Sequence, residues 1–164
     1  MFYAKSIEAS EIPFDMLYGP AYKGIPLVSS IVIAFASLGR NVPFAFNRKE
    51  KKDHGEGGVI IGTPLKGRVL IVDDVISAGT SVNESVNLIL EEGAKPSGIA
   101  ISIDREEKGT GLLSAVEEIK ETHHLPICHL TSLQEIMRYI EHHETYASHI
   151  NAMRDYQKLY GIKA

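Results

Sequence analysis

The stretch RVLIVDDVISAGTSV, residues 68–82, indicates both the fold class and the position of a ligand site. Its first part is a continuous apolar run rich in β-branched residues, which is typical of a strand buried on both faces in a parallel sheet. The run ends in two adjacent acids, Asp73 and Asp74, and then passes through small and hydroxyl-bearing residues. We therefore predict a strand, a short turn and a helix, with two carboxylates at the end of the strand.

The rest of the chain repeats this alternation of short apolar runs and helical patterns. Strands are predicted at 14–19, 41–47, 96–104 and 125–130. Helices are predicted at 25–39, in the segment that ends near Gly93, and at 112–121, 132–143 and about 145–160. Strands that alternate with helices predict an α/β fold with a mainly parallel central sheet flanked by helices.

Composition limits the classes of protein to which the chain can belong. The 164 residues suit a single core domain, 1–164. A net charge of −4 argues against a general nucleic-acid surface, and the apolar runs are too short to span a bilayer. The single cysteine, Cys128, fits a reducing compartment. We expect a cytoplasmic protein that binds neither nucleic acid nor membrane.

The segment after the acids has the chemistry expected for binding a sugar phosphate. Ligands of open α/β sheets bind beyond the carboxyl ends of the strands. Small residues let backbone N–H groups approach an anion, and a helix N-terminus favours negative charge, so a phosphate is expected on the loop Ser77–Ser81. The carboxylates of Asp73 and Asp74 suit ribose hydroxyls, or Mg²⁺ through waters. The simpler interpretation is a strand-to-helix turn in which Asp74 is a solvated acid. Two adjacent acids before a glycine turn would by themselves favour that interpretation.

The stretch VLIVDDVISAGTS also resembles the phosphoribosyl pyrophosphate (PRPP) binding motif of the type I phosphoribosyltransferases. The resemblance implies their Rossmann-like fold, with Asp73 and Asp74 on the ribose hydroxyls of PRPP. It also implies that the loop Ser77–Ser81 surrounds the 5′-phosphate. Besides the two acids, the residues of the motif that it places on PRPP are Val75, Ile76, Ser77, Ala78, Gly79, Thr80 and Ser81.

Three other segments resemble one branch of these enzymes, the orotate phosphoribosyltransferase family. FDMLYGPAYKGIPL (14–27) is similar to its pyrophosphate loop, FNRKEKKDHGEGG (46–58) to its mobile catalytic loop, and ISIDREEKGTG (101–111) to a strand that carries a base-side arginine. The resemblance implies transfer of the phosphoribosyl group from PRPP to orotate, giving orotidine 5′-monophosphate and pyrophosphate in pyrimidine biosynthesis. It implies Mg²⁺ as cofactor, held mainly by PRPP and water and not directly by the protein.

Basic residues outside the motif have a simpler and a functional interpretation. From composition alone, the basic loop 47–58 is a solvated hairpin tip, and Lys23 is a solvated lysine. Arg105 is then a surface ion-pair partner of Glu106 or Glu107. Because the loop carries dense positive charge and three glycines, it also suits closure over an anionic leaving group.

The resemblance assigns these residues to the substrates. It implies that Ser77 and Arg105 contact orotate, and that Lys52 is the leading catalytic residue together with Asp73 and Asp74. It also implies a homodimer in which the loop 47–58 serves the neighbouring subunit's site. The residues that it places on pyrophosphate are Lys23, Arg48, Lys49, Lys52 and His54.

Two alternatives remain open at this point: a purine phosphoribosyltransferase and a non-catalytic regulator that binds PRPP. The basic loop argues against the regulator, since a sensor needs no leaving-group chemistry. The resemblance further implies that family members carry a segment before the equivalent of Phe2, which supplies part of the orotate pocket. We expect this chain to lack that base-binding segment and therefore to turn over orotate poorly.

Overall fold

A computed structural model describes residues 1–52, 58–77 and 79–162, and only the backbone at 49–52 and 58. A six-stranded sheet lies at its centre. The strands are β1 (Met16–Gly19), β2 (Phe44–Lys52), β3 (Gly58–Gly62), β4 (Arg68–Val72), β5 (Lys95–Asp104) and β6 (Ile127–Ser132). The helices are α1 (Phe2–Ala9), α2 (Gly24–Ser37), α3 (Thr80–Glu91), α4 (Ala115–His123), α5 (Leu133–Glu141) and α6 (Ile150–Tyr160), with a 3₁₀ helix at Glu144–His149.

The strand order is β3-β2-β1-β4-β5-β6. All neighbouring pairs are parallel except β2 and β3, which are antiparallel. The predicted α/β fold with a mainly parallel sheet is therefore confirmed. Strand β4 lies between β1 and β5, and its residues 69–72 are fully buried, which explains why its sequence is continuously apolar.

Successive residues of β4 face opposite layers of helices. Val69 and Ile71 belong to one buried cluster, with apolar side chains of α3 and α4. Leu70 and Val72 belong to the other, with side chains of α1 and α2. Packed side chains therefore occupy both faces of the strand. The polar residues begin only where the strand ends, at the carboxyl edge of the sheet.

The structure contains two elements that the sequence patterns did not predict. Helix α1 buries only Ala4 and Ile7, too few apolar positions to give a clear helical periodicity. Strand β3 pairs with β2 at the edge of the sheet, so its apolar pattern is short. Helix α4 begins at Ala115 and not at residue 112, because Ser114 and Glu117 form a capping box.

The C-terminal segment differs from a single predicted helix, since a 3₁₀ helix precedes α6. Within the described ranges, none of the helices has the length and apolar character needed to cross a membrane.

Candidate active site

The backbone of the two acids is fixed by side chains from distant parts of the chain. The Tyr3 hydroxyl donates to the Asp73 carbonyl oxygen at 2.7 Å. Ser102 donates to the Asp74 carbonyl oxygen through its hydroxyl at 2.6 Å and its N–H at 2.9 Å. Burial raises the pKa of Tyr3 to about 12, so its hydroxyl stays a donor at neutral pH. Helix α1 and strand β5 thus hold the acids in place.

The Asp73 carboxylate is buried and connects the strand end to α3. It is 8% exposed, accepts from the Asp74 N–H at 2.9 Å and accepts from the Ser81 hydroxyl at 3.2 Å. Burial raises the pKa of the Asp73 carboxyl, and the neighbouring Asp74 charge adds to this effect. These contacts hold the first turn of α3 against the end of β4.

Asp74 points its carboxylate toward the loop that precedes α2. Lys23 Nζ lies 2.5 Å from Asp74 Oδ2. A hydrogen bond to this carboxylate raises the pKa of Lys23, so the lysine keeps its charge. The lysine side chain is 72% exposed, which leaves it open to an anionic ligand. The pair joins the β1–α2 and β4–α3 turns in one site.

The turn into α3 depends on a glycine. Gly79 has φ +71°, and a Cβ at this position would lie 2.6 Å from Ile119 Cδ1. Within the described part of the chain, no side chain caps the N-terminus of α3. The N–H groups at the start of a helix have no partner within the helix, so this end offers donors to an anion.

These elements enclose a cavity of about 350 Å³. It brings together predicted sugar-phosphate residues from two turns at the sheet edge, β1–α2 and β4–α3. Its lining residues are Ala21, Tyr22, Lys23, Asp73, Asp74, Val75, Ile76, Ser77, Gly79, Thr80, Ser81 and Val82. A neighbouring cavity of about 530 Å³ shares Ala21 and Ser81 with it and is also lined by Arg48.

Arg105, which follows the last residue of β5, forms the ion pair with Glu107 that the simpler interpretation predicted. Its Nη2 donates to Ser77 Oγ at 2.7 Å and to Glu107 Oε2 at 2.8 Å. The other oxygen of Glu107 accepts a hydrogen bond from the Tyr156 hydroxyl, on α6. The arginine is therefore an ion-pair partner and also touches the loop that lines the cavity.

Comparisons with known proteins identify the family. Residues 1–121 match the phosphoribosyl transferase domain model. The chain is 56% identical over 161 residues to the orotate phosphoribosyltransferase of Chromobacterium violaceum, covering 98% of this chain and 75% of that protein. The corresponding enzyme of Nitrosospira multiformis is 57% identical over 162 residues, covering 99% and 71%. The chain belongs to the orotate phosphoribosyltransferase family.

A solved structure agrees with this assignment. The crystal structure of the orotate phosphoribosyltransferase of Francisella tularensis superposes with a TM-score of 0.82 at 36% identity, over 98% of this chain and 77% of that chain. The type I phosphoribosyltransferase fold and the orotate phosphoribosyltransferase activity in pyrimidine biosynthesis, both expected from the resemblance, are confirmed.

Part of the predicted site is not covered by the structure. His54 and Ala78 lie outside the described residues, and so do the side chains of Lys49 and Lys52. Their contacts with the substrate remain predictions.

Sequence reasoning offered Glu106 or Glu107 as the ion-pair partner of Arg105, and the structure places Glu107 in that role. It missed a further residue, Tyr156, which contacts Glu107. Tyr156 is 49 positions from Glu107, so local sequence contains no indication of their contact.

Proposed function

We propose that this chain binds PRPP in the 350 Å³ cavity and transfers its phosphoribosyl group to orotate, releasing pyrophosphate and orotidine 5′-monophosphate. The observation that carries the proposal is the convergence of Lys23, the two acids and the α3 turn on one cavity. A cation, two carboxylates and a helix N-terminus match the pyrophosphate, ribose and 5′-phosphate of one molecule.

Val75 and Ile76 line the cavity beside PRPP, and we assign the 5′-phosphate to the loop Ser77–Ser81. Its conformation at Gly79 leaves the start of α3 open, and Thr80 and Ser81 add hydroxyl groups that line the cavity. On the ribose, we assign Asp73 and Asp74 as hydrogen-bond acceptors. Asp73 is already held by Ser81, so it anchors the sugar without a change of rotamer.

On the pyrophosphate, we assign Lys23, Arg48, Lys49, Lys52 and His54, with Lys52 as the leading catalytic residue. Lys23 lines the cavity of the acids, and Arg48 lines the adjoining cavity. Charge develops on pyrophosphate as the bond to ribose breaks, so cations placed there stabilise the transition state more than the ground state.

The carboxylates fit the Mg²⁺ that the family resemblance implies. Asp73 and Asp74 are oxygen donors at the cavity, and one of the Asp74 oxygens is paired with Lys23. Two such groups suit a hydrated ion held mainly by the substrate. When bound, Mg²⁺ would neutralise charge on pyrophosphate; Asp73 and Asp74 would orient its water ligands as well as the ribose.

On orotate, we assign Ser77 and Arg105. Arg105 Nη2 donates to Ser77 Oγ at 2.7 Å, Ser77 lines the cavity, and a guanidinium suits the carboxylate of orotate. We also propose that the protein acts in the cytoplasm. Its single cysteine supports this, since a chain without an internal disulfide fits a reducing compartment.

Turnover tests the proposal directly. The chain is mixed with Mg²⁺, PRPP and one base, which is orotate, hypoxanthine or adenine, and released pyrophosphate is measured. We expect release with orotate alone, accompanied by orotidine 5′-monophosphate. Release with a purine and none with orotate would contradict the assignment of the base.

We further propose a homodimer in which the loop 47–58 completes the neighbouring subunit's site. The antiparallel β2–β3 pair lies at the edge of the sheet, and the segment 47–58 contains the end of β2 and the first residue of β3. A Lys52→Ala chain is mixed with an Asp73→Asn/Asp74→Asn chain under conditions of subunit exchange. Because the mixed dimer would regain one intact site, activity should return. Confirmed exchange without activity would count against a shared site.

A further inference from the structure

The guanidinium of Arg105 is held by a series of side chains that ends on the last helix. Its Nη2 donates to Ser77 and to Glu107, and the free oxygen of Glu107 accepts from Tyr156. The Arg105 side chain is 33% exposed and that of Glu107 is 17% exposed. The ion pair is thus partly shielded from water, where it is stronger than a pair on the open surface.

Backbone contacts fix Glu107 independently of the arginine. Its carbonyl oxygen accepts from the Ala115 N–H at 3.0 Å, and the Lys108 N–H donates to the Tyr160 carbonyl oxygen at 2.8 Å. The rings of Tyr156 and Tyr160 lie 4.8 Å apart. The end of α6 and the start of α4 therefore locate the Glu107 carboxylate, and the carboxylate locates the guanidinium.

This arrangement leaves the guanidinium oriented before a ligand binds. The hydrogen bonds that the guanidinium donates to Ser77 and Glu107 both come from Nη2. Its Nε is buried and has no partner among the described residues. A long arginine side chain loses rotamer freedom when it binds a ligand, and an anchor that has already removed this freedom improves affinity.

We infer that Glu107 and Tyr156 are positioning residues that hold Arg105 in the orientation needed for the carboxylate of the base. The inference rests on the proposed function, in which Arg105 contacts orotate. Through Tyr156, helix α6 then contributes to the selection of a pyrimidine that carries a carboxylate. Neither residue touches the substrate; both act through the guanidinium.

Two nucleotides that differ only in the carboxylate separate this role from a structural one. Orotidine 5′-monophosphate has the group, and uridine 5′-monophosphate lacks it. Their dissociation constants are measured by calorimetry for the native chain and for Glu107→Gln. We expect Glu107→Gln to weaken binding of orotidine 5′-monophosphate about tenfold and to leave uridine 5′-monophosphate unchanged, since a hydrogen-bonded charge pair is lost.

A matched control is Glu106→Gln, because Glu106 is the adjacent acid and contacts the Gln134 N–H instead of Arg105. A second variant, Tyr156→Phe, removes only a hydroxyl and therefore tests the inference even if Glu107→Gln does not fold. It should weaken orotidine 5′-monophosphate binding about threefold. Tyr160→Phe, on the same helix, is its control and should leave the binding of both nucleotides unchanged.

The outcomes distinguish the inference from the proposed function. If the native chain fails to prefer orotidine 5′-monophosphate, the assignment of Arg105 to orotate is wrong. If the native chain shows the preference and both variants retain it, the assignment stands and the positioning role is wrong. Equal weakening of both nucleotides in the variants would also overturn the inference, since it would show only a structural contribution.

Discussion

The two sides of the candidate site are built differently. The phosphate side, Asp73–Ser81, is one continuous stretch of sequence that runs from the end of a buried strand to the first residues of a helix. The base side consists of Ser77, Arg105, Glu107 and Tyr156, which come from three separate parts of the chain. The order of elements on the phosphate side follows from local backbone preferences, with Tyr3 and Ser102 holding its two acids, whereas the base side exists only after β5 and α6 have packed.

The largest expected effect is on the phosphate side. Asp73→Asn combined with Asp74→Asn should weaken binding of Mg-PRPP by about 3 kcal/mol, because two charged acceptors for the ribose are lost. Calorimetric titration measures this, and Asp155→Asn on the exposed face of α6 is the control. Unchanged PRPP affinity in the double variant would show that the acids do not bind PRPP, and the phosphate side as described would be wrong.

A glycine variant tests whether backbone geometry defines the phosphate side. Gly79→Ala places a Cβ at φ +71° against Ile119, and should lower the free energy of unfolding by about 2 kcal/mol. Gly93→Ala, at φ +77° with nothing within 4 Å, is the matched control and should cost about 1 kcal/mol. Urea denaturation gives both values. Equal losses would show that the packing against Ile119 contributes nothing.

Because the Asp73 carboxyl is buried, we expect its ionised form to lower the free energy of unfolding. Its pKa is raised above 3.8 in the folded protein, so stability falls as pH rises above this value and the carboxyl ionises. Asp73→Asn should therefore be at least as stable as the native chain at pH 7, with a smaller advantage near pH 4. Denaturant unfolding at the two pH values checks the sign, and a larger advantage near pH 4 would contradict it.

The smallest effect concerns the base side. A hydrogen bond to Glu107 raises the pKa of the Tyr156 hydroxyl, so Glu107→Gln should move that pKa down toward its ordinary value. Titration followed by NMR of labelled tyrosines resolves Tyr156, and Tyr139, which has no contact with Glu107, serves as the reference. A pKa that stays in place would indicate that α6 is not coupled to Arg105 in solution.

The elements predicted correctly are those whose pattern is local. Strand β4 and helix α3 were located because a fully buried strand and an amphipathic helix each need a distinctive order of apolar residues. Helix α1 was missed because it buries two residues. Its Tyr3 nevertheless holds the Asp73 carbonyl, a contact across 70 positions that no local pattern can indicate.

The amino-acid sequence by itself determined the α/β class, the family and the placing of two acids and a glycine turn at the end of a strand. The class and the placing depend on backbone preferences and burial within a few neighbouring residues, whereas the family follows from the resemblance of whole segments to known enzymes. Only the tertiary structure decided that Lys23 meets Asp74 and that Arg105 is anchored through Glu107 to Tyr156. The physical reason is that hydrogen bonds and ion pairs act over a few ångströms of space, and packing of the sheet and helices determines which distant residues come that close.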